Sequence, residues 1–259
     1  MYNILNLSKT GLKSMQTKMD AVADELANSN TYGYKKKEIS FRELLTNETF
    51  DNEVIMSPNV NSANINMGSR SDIGTINFQQ GTIIPSSRQF DMAISGNGFF
   101  GVRDENKNLM LTRNGSFHID NNQMISDANG YPLDIDFLVG IEEWDFQNLN
   151  INASGEISKV SQEETVVLGN VVLYTPEVMN SLTPLGENRY MPSANVQLFN
   201  SIDHNEEFGD IIQYALEGSN VDITKTMADM ITTQRAYSLN SRAIQTTDDI
   251  MSMINGIKQ

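Results

Sequence analysis

The stretch SNVDITKTMADMITTQRAYSLNSRAIQTTDDIMSMINGIKQ, residues 219–259, decides the fold. Ile223, Met230, Tyr237, Ile244 and Met251 recur in it every seven positions, and Met227 and Ile254 sit at the offsets that complete one face of a long helix. Proline is absent from the stretch, and after the start its only glycine is Gly256, close to the end. Ser219 and Asn220 are good N-cap residues, and Asp222 places negative charge where the helix dipole favours it. The pattern predicts a helix over residues 221–257, about 55 Å long at the usual rise per residue. A helix of that length needs another helix to lie against.

Its partner is at the other end of the chain. Leu5, Leu12, Met19 and Leu26 also recur every seven residues, with Met15 and Val22 filling the alternate positions of a coiled-coil seam. Stripes of this kind can equally be the core faces of amphipathic helices inside one globular domain. The remaining helix surface favours something more. Thr232, Thr233, Gln234, Ser238, Asn240, Ser241 and Gln245 are small or polar and uncharged, and suit packing against further helices better than facing bulk water.

The charge is unevenly spread. Of the net −15, residues 1–45 and 210–259 contribute almost nothing: the first carries seven Lys/Arg against five Asp/Glu, the second four against six. The middle, 46–209, holds seven against twenty-two. Nearly neutral ends can pack densely among copies of themselves, while an acidic middle repels its neighbours and stays solvated. A protein that tracks a nucleic-acid backbone has the opposite sign, so no nucleic-acid partner is expected. Lys35-Lys36-Lys37 is the only basic cluster and reads as a solvated turn, with a phosphate or lipid contact as the alternative. The chain contains no cysteine, which excludes disulfides, thiol nucleophiles and Cys-based zinc sites. No stretch reaches the roughly 18 apolar residues of a membrane span. The first residues lack a basic region followed by an apolar run, so no cleavable secretory signal is expected.

Between the helices the chain changes character. ANSNTYGYKKK, residues 27–37, supplies stop and turn chemistry after the first helix. Residues 46–75 are rich in Asn and Ser with little periodicity and read as an extended linker. From residue 76 onward, short β-prone runs separated by turn signals every eight to twelve residues predict an antiparallel all-β unit. The expected strands are 82–84, 91–94, 99–103, 110–112, 116–119, 123–126, 148–151, 165–174 and 190–192. The fold expected is therefore α+β, with long N- and C-terminal helices pairing as a coiled-coil layer around a central antiparallel β domain. Its divisions fall at 1–45 for the first helix and turn, 46–75 for the linker, 76–210 for the β domain and 211–259 for the last helix.

The chemical motifs mostly dissolve in context. Gly96-Asn-Gly98-Phe-Phe-Gly101 matches the dinucleotide fingerprint by letter, but aromatics and Val102 follow where a helix must open, so it reads as a tight hairpin turn. His118 and His204 have neither metal-ligand nor triad spacing. Asp134, Asp136, Glu142, Glu143 and Asp145 lack an EF-hand register and read as a solvated acidic edge. No catalytic constellation is present, and neither cofactor nor metal is expected.

Together these segments resemble the bacterial flagellar rod and hook family. The heptad helix followed by ANSNTYGYKKKEISFRELL resembles that family's N-terminal signature, FDMAISGNGFFGV, LTRNGSFHID and DANGYPLDI resemble hairpins of its central domain, and EGSNVDITKTMADMITTQRAYSLNSRAIQTTDDIMSMI resembles its C-terminal signature. Length and a single modest central domain are most similar to the distal-rod members, with proximal rod or hook subunits as the alternative. The resemblance implies a non-enzymatic subunit that polymerises helically with itself through its terminal helices, meets neighbouring rod and hook subunits, and forms a hollow drive shaft for motility. It also implies passage through the flagellar type III export apparatus, without a cleaved signal, to an extracytoplasmic basal body. Phe41 and Leu45, spaced as F-x-x-x-L, resemble the family's export motif, while a hydrophobic anchor for the helix-to-linker turn accounts for them equally well. The rivals from other classes are a secreted cell-wall-active enzyme using the acidic middle and a soluble coiled-coil adaptor or chaperone.

Overall fold

The computed structural model describes residues 2–43, 46–50, 62–66, 68–104, 106–140, 144, 146, 149–160, 165–193, 196–203 and 208–257. They fall into two compact units, each discontinuous in sequence: Met1–Ala27, Lys37–Ile76 and Asp222–Gln259 make the first, Asn28–Lys36 and Asn77–Val221 the second.

The first unit holds the two helices, α1 (Tyr2–Ala27) and α2 (Ile223–Ile257), packed on each other. The cap of α2 is Asp222, where Ser219 and Asn220 had been the stronger sequence candidates. The Asp222 Oδ1 accepts the Lys225 N–H at 3.1 Å and its carbonyl accepts the Thr226 N–H at 2.9 Å. A carboxylate there also meets the positive end of the helix dipole, which a neutral Asn would not. The helices run antiparallel. A Cβ placed on Gly11 would lie 3.4 Å from the Asn240 side chain, and the chain just beyond α1 is hydrogen-bonded to the chain just before α2, the Asn220 Oδ1 accepting the Lys36 N–H at 2.8 Å. Both constraints hold only if the end of α1 lies near the start of α2.

Residues 46–75, read from the sequence as an extended linker, contain paired strands. β1 (Lys37–Glu43), β2 (Thr46–Phe50), β3 (Ser62–Asn66) and β4 (Ser69–Ile76) form two antiparallel pairs, β1 with β4 and β2 with β3. β4 lies against α1, where the Ser14 hydroxyl donates to the Ser69 carbonyl at 3.1 Å. Gly68 permits the approach: its φ is +121°, and a Cβ on it would fall 2.2 Å from the Thr10 hydroxyl oxygen. A strand that buries small polar groups against a helix has no apolar alternation, which is the signal the sequence reading requires.

The second unit is all antiparallel β in its described strands. Its chain runs through β5 (Ile83–Pro85), β6 (Met92–Ser95), β7 (Phe99–Arg103), β8 (Leu109–Thr112), β9 (His118–Ile119), β10 (Ile125–Ser126) and β11 (Ile135–Phe137). It continues with β12 (Leu149–Ile151), β13 (Glu156–Val160), β14 (Thr165–Val171), β15 (Leu173–Pro176), β16 (Leu182–Gly186), β17 (Arg189–Pro192), β18 (Leu198–Asn200), β19 (Asp210–Gln213) and β20 (Ala215–Glu217). A six-stranded sheet has the order β16-β17-β8-β7-β15-β18 and a four-stranded sheet the order β11-β14-β13-β12. β9 pairs with β10, β6 with β19, and β5 with β20. Met92, Phe100, Val102, Phe117, Ile157 and Val171 are at the centre of the shared core, all but sealed from solvent, with the Phe100 and Phe117 rings edge to face at 5.3 Å. Eight of the nine strands expected from the sequence have counterparts here, while the ninth, 165–174, is divided between β14 and β15, which belong to different sheets. The Gly96–Gly98 turn is not a hairpin, however: β6 and β7 belong to different sheets, and Gly209 donates its N–H to the Asn97 carbonyl at 2.8 Å.

The lysine run is also corrected. Lys35 is only 1% exposed, and its Nζ donates to Glu217 Oε1 at 2.6 Å and to the Gln79 carbonyl at 2.7 Å. The same carboxylate accepts the Gly81 N–H at 2.9 Å and the Arg113 Nη1 at 3.2 Å, while the Arg113 guanidinium lies 5.1 Å from the centre of the Phe99 ring. Burial pushes the Lys35 and Arg113 pKa values down, and the Glu217 charge opposes that shift in both. Tyr190, close by, is pushed up, by burial first and by the Glu217 charge second. Gly33 completes the crossing: its N–H donates to the Glu217 carbonyl at 2.8 Å, at φ +69°, in a space where a Cβ would fall 2.4 Å from the Asn114 nitrogen. Removing one partner of a buried ion pair leaves the rest uncompensated. Lys35→Ala is expected to lower stability by about 3 kcal/mol, measured by urea unfolding of the whole chain followed through tyrosine and tryptophan fluorescence.

Candidate functional site

The two terminal helices carry the candidate surface, and they divide the expected seam in two. Val22 is buried, and Leu12, Met15, Met19, Leu26, Met230, Tyr237, Ile244 and Met251 are half-buried within the first unit. Ile223, Met227 and Ile254 are exposed. The side chain of Leu5 and all of Leu45 lie outside the described residues, as do Glu142, Glu143, Asp145 and His204. Phe41, on β1, is exposed, with the Lys18 ammonium 5.6 Å from its ring centre.

What the apolar stripe missed is a polar one beside it. Thr226, Thr233 and Thr247 are buried, the first two to 2% exposure, and Asn240 continues the same seven-residue spacing. On α1 the buried positions include Ser14, Ala21 and Glu25. Small side chains let the helix backbones approach closely. Their hydroxyls need no partner across the contact, because the Thr233 Oγ1 donates to the Asp229 carbonyl at 2.6 Å and the Thr247 Oγ1 to the Ala243 carbonyl at 2.8 Å. The heptad of Thr226, Thr233, Asn240 and Thr247 was visible in the sequence, but a search for apolar periodicity passes over it.

With that stripe turned inward, α2 is left with large apolar side chains in the open. Ile231, Leu239, Ile250 and Met253 are all exposed, Leu239 to 66% and Met253 to 61%. The antiparallel register set by Gly11 and Asn240 brings the start of α1 level with about residue 249 of α2, so the last two turns of α2 run on past it.

The chemical alternatives lose their residues. Asp134 is held by Arg103, whose Nε and Nη2 donate to it at 2.9 and 2.7 Å, and by the Tyr174 hydroxyl at 2.6 Å, so it is a paired group and not part of a solvated edge. The hydrogen bond to Asp134 raises the Arg103 pKa, and burial, followed by the Tyr174 hydroxyl's own hydrogen bond to Asp134, pushes Tyr174 up. His118 is an exposed strand residue. Among the described residues no group of His, Asp and Glu has the arrangement to hold a metal ion, and no helix is long and apolar enough to cross a membrane.

Terminal helices packed on one another, together with a separate antiparallel β unit, define the architecture of the rod and hook class. The sequence comparisons agree. Residues 212–257 match the family described as "Flagellar basal body rod FlgEFG protein C-terminal", and residues 93–159 the "Flagellar hook protein FlgE/F/G D1 domain". The chain is 30% identical to the flagellar basal-body rod protein FlgG of Bacillus subtilis (strain 168) over 259 residues, covering 96% of this chain and 97% of that one. It is also 30% identical to the FlgG of Borreliella burgdorferi over 267 residues, covering all of both chains. A third relative, the flagellar hook-basal body complex protein FlhP of Bacillus subtilis, is 28% identical over 268 residues, 97% of each chain. The chain belongs to the flagellar basal-body rod FlgG family, and it is a structural subunit of the rod, not an enzyme.

The inward threonine stripe makes a direct expectation. Thr233→Leu overfills the contact between the helices and is expected to cost about 1–3 kcal/mol, while Thr233→Val, close in volume, loses only the hydroxyl's bond to its own helix and is expected to cost less than Thr233→Leu. Thermal unfolding of the purified chain, followed by helical circular dichroism, measures the difference.

Proposed function

We propose that copies of this chain polymerise helically through α1 and α2 into the hollow distal segment of the rod, with the acidic β unit forming the outer wall. The observation that supports this best is the row of large apolar side chains left open on α2 after its threonine stripe has been used against α1. Covering such surface between copies stabilises the polymer by roughly 25 cal/mol per Å² buried. Self-assembly gives those residues a role that no site within the single chain supplies. The expected seam thereby splits into an inner part, from Leu12 to Leu26 and Met230 to Met251, and an outer part led by Ile223, Met227 and Ile254.

The relatives' names place them in the rod and the hook–basal body complex, and we assign the same setting here: neighbouring rod and hook subunits as partners, and an extracytoplasmic basal body in the periplasm or cell wall as location. Delivery is by the flagellar type III export apparatus. The exposure of Phe41 on β1 leaves it accessible to a receptor, in keeping with a role in export.

Leu239→Asp and Ile231→Asp each place a charge in a contact that must become dry. In flagellated cells whose own copy is deleted, either variant is expected to cut the yield of complete hook–basal bodies by about tenfold or more, while urea unfolding of the β unit is unchanged. Normal assembly by both variants would refute the outer seam.

A further inference from the structure

A groove of about 420 Å³ lies within the first unit, between α1 and β4, in the size range of small-molecule sites. Thr10, Lys13, Ser14 and Thr17, one face of the helix, form one wall, and Arg70 and Asp72 stand on the other. The walls are held together where the Ser14 hydroxyl donates to the Ser69 carbonyl and where Gly68 meets Thr10. Their polar groups are of two kinds. The Thr10 Oγ1 donates its proton to the Leu7 carbonyl at 2.9 Å and the Thr17 Oγ1 to the Lys13 carbonyl at 3.1 Å, so toward a ligand both can only accept. The Arg70 Nε donates to Asp72 Oδ1 at 2.9 Å, which leaves Asp72 Oδ2 as a third acceptor and the two Nη groups of Arg70 as donors. The exposed Lys13 ammonium has no partner among the described residues. In a chain of net charge −15 this corner is cationic: residues 1–19 carry three lysines and no carboxylate, and Arg42 is directly opposite Arg70 in the β1–β4 ladder. Like charges across a ladder repel, and an anion held beside them offsets the cost.

We propose that this groove binds a small sugar acid, its carboxylate between Lys13 and Arg70 and its ring hydroxyls donating to Asp72, Thr10 and Thr17. The choice follows from the sorting of donors and acceptors. A bare oxyanion satisfies the two cations but brings only lone pairs to Asp72 and the threonines, and the Asp72 charge repels it. A neutral sugar supplies donors for those acceptors but gives Lys13 and the Nη groups of Arg70 no charge to pair with. A carboxylate at one end of a hydroxyl-bearing ring satisfies both sets at once. The inference concerns the single chain and goes beyond its assembly, so its failure leaves the polymer reading untouched.

The test titrates the isotope-labelled full chain, unassembled and at constant ionic strength, with sodium glucuronate, sodium sulfate or glucose, and reads the amide chemical shifts of α1 and β4. Glucuronate is expected to saturate with a dissociation constant of about 1–10 mM, and sulfate and glucose to bind at least about tenfold more weakly. Lys13→Gln together with Arg70→Gln is expected to weaken glucuronate by about tenfold or more, with helical circular dichroism unchanged. Asp72→Asn is expected to weaken glucuronate by about threefold and to tighten sulfate, because it removes an acceptor for hydroxyls and a charge that repels anions. Should the double variant not fold, Lys13→Gln alone, which loses no partner, is expected to weaken glucuronate by about threefold. No saturation by about 50 mM glucuronate, sulfate binding as tightly as glucuronate, or glucuronate binding untouched by the loss of Lys13 each overturns the inference.

Discussion

Everything in the β unit that lies near the chain crossing depends on one buried carboxylate. Glu217 is fully sealed from solvent, and it gathers the Lys35 ammonium, the Arg113 guanidinium and the Gly81 amide from three separate stretches of chain. Two cations and one anion in a dry site hold together only while all are present. The site ties residues 28–36 to the strands that begin at residue 77 through a set of bonds that loses its balance when any one partner is removed.

A different kind of contact orders the helical unit. There the buried surface is largely small and self-satisfied, with threonine hydroxyls bonded back to their own helix and a glycine at the closest approach of strand to helix. Several large apolar residues of α2, among them Ile231, Leu239, Ile250 and Met253, face outward. The division leaves the chain with one surface covered between its own helices and a second, apolar surface in the open.

The helices and most strands of the β unit were legible in the sequence because their signals are local: heptads, alternation and turn residues. Asp91–Ile94 and Phe99–Arg103 were read nearly to the residue, since FDMAIS and FFGVR carry unbroken apolar runs that end in turn chemistry. The strands at 37–43 and 69–76 were not, because their partners are polar, small or far away in sequence. Lys35 was misread for the same reason. A lysine that opens a run of three looks solvated until its counter-charge, 182 positions later, is known. The rod family itself was legible from three regions of sequence, whereas which part of the seam is covered within the chain and which is left exposed required the helices to be in place.

The long separation between Lys35 and Glu217 also sets the order in which the molecule can be finished. A chain that emerges N-terminus first has Lys35 and Arg113 in hand early, but the carboxylate that makes them tolerable in a dry interior comes last, after nearly all of the strand-forming sequence. Until it arrives, sealing the crossing is unfavourable. The seal over residues 28–36 is therefore the last part of the β unit that can close, after the strands that precede residue 217 are available.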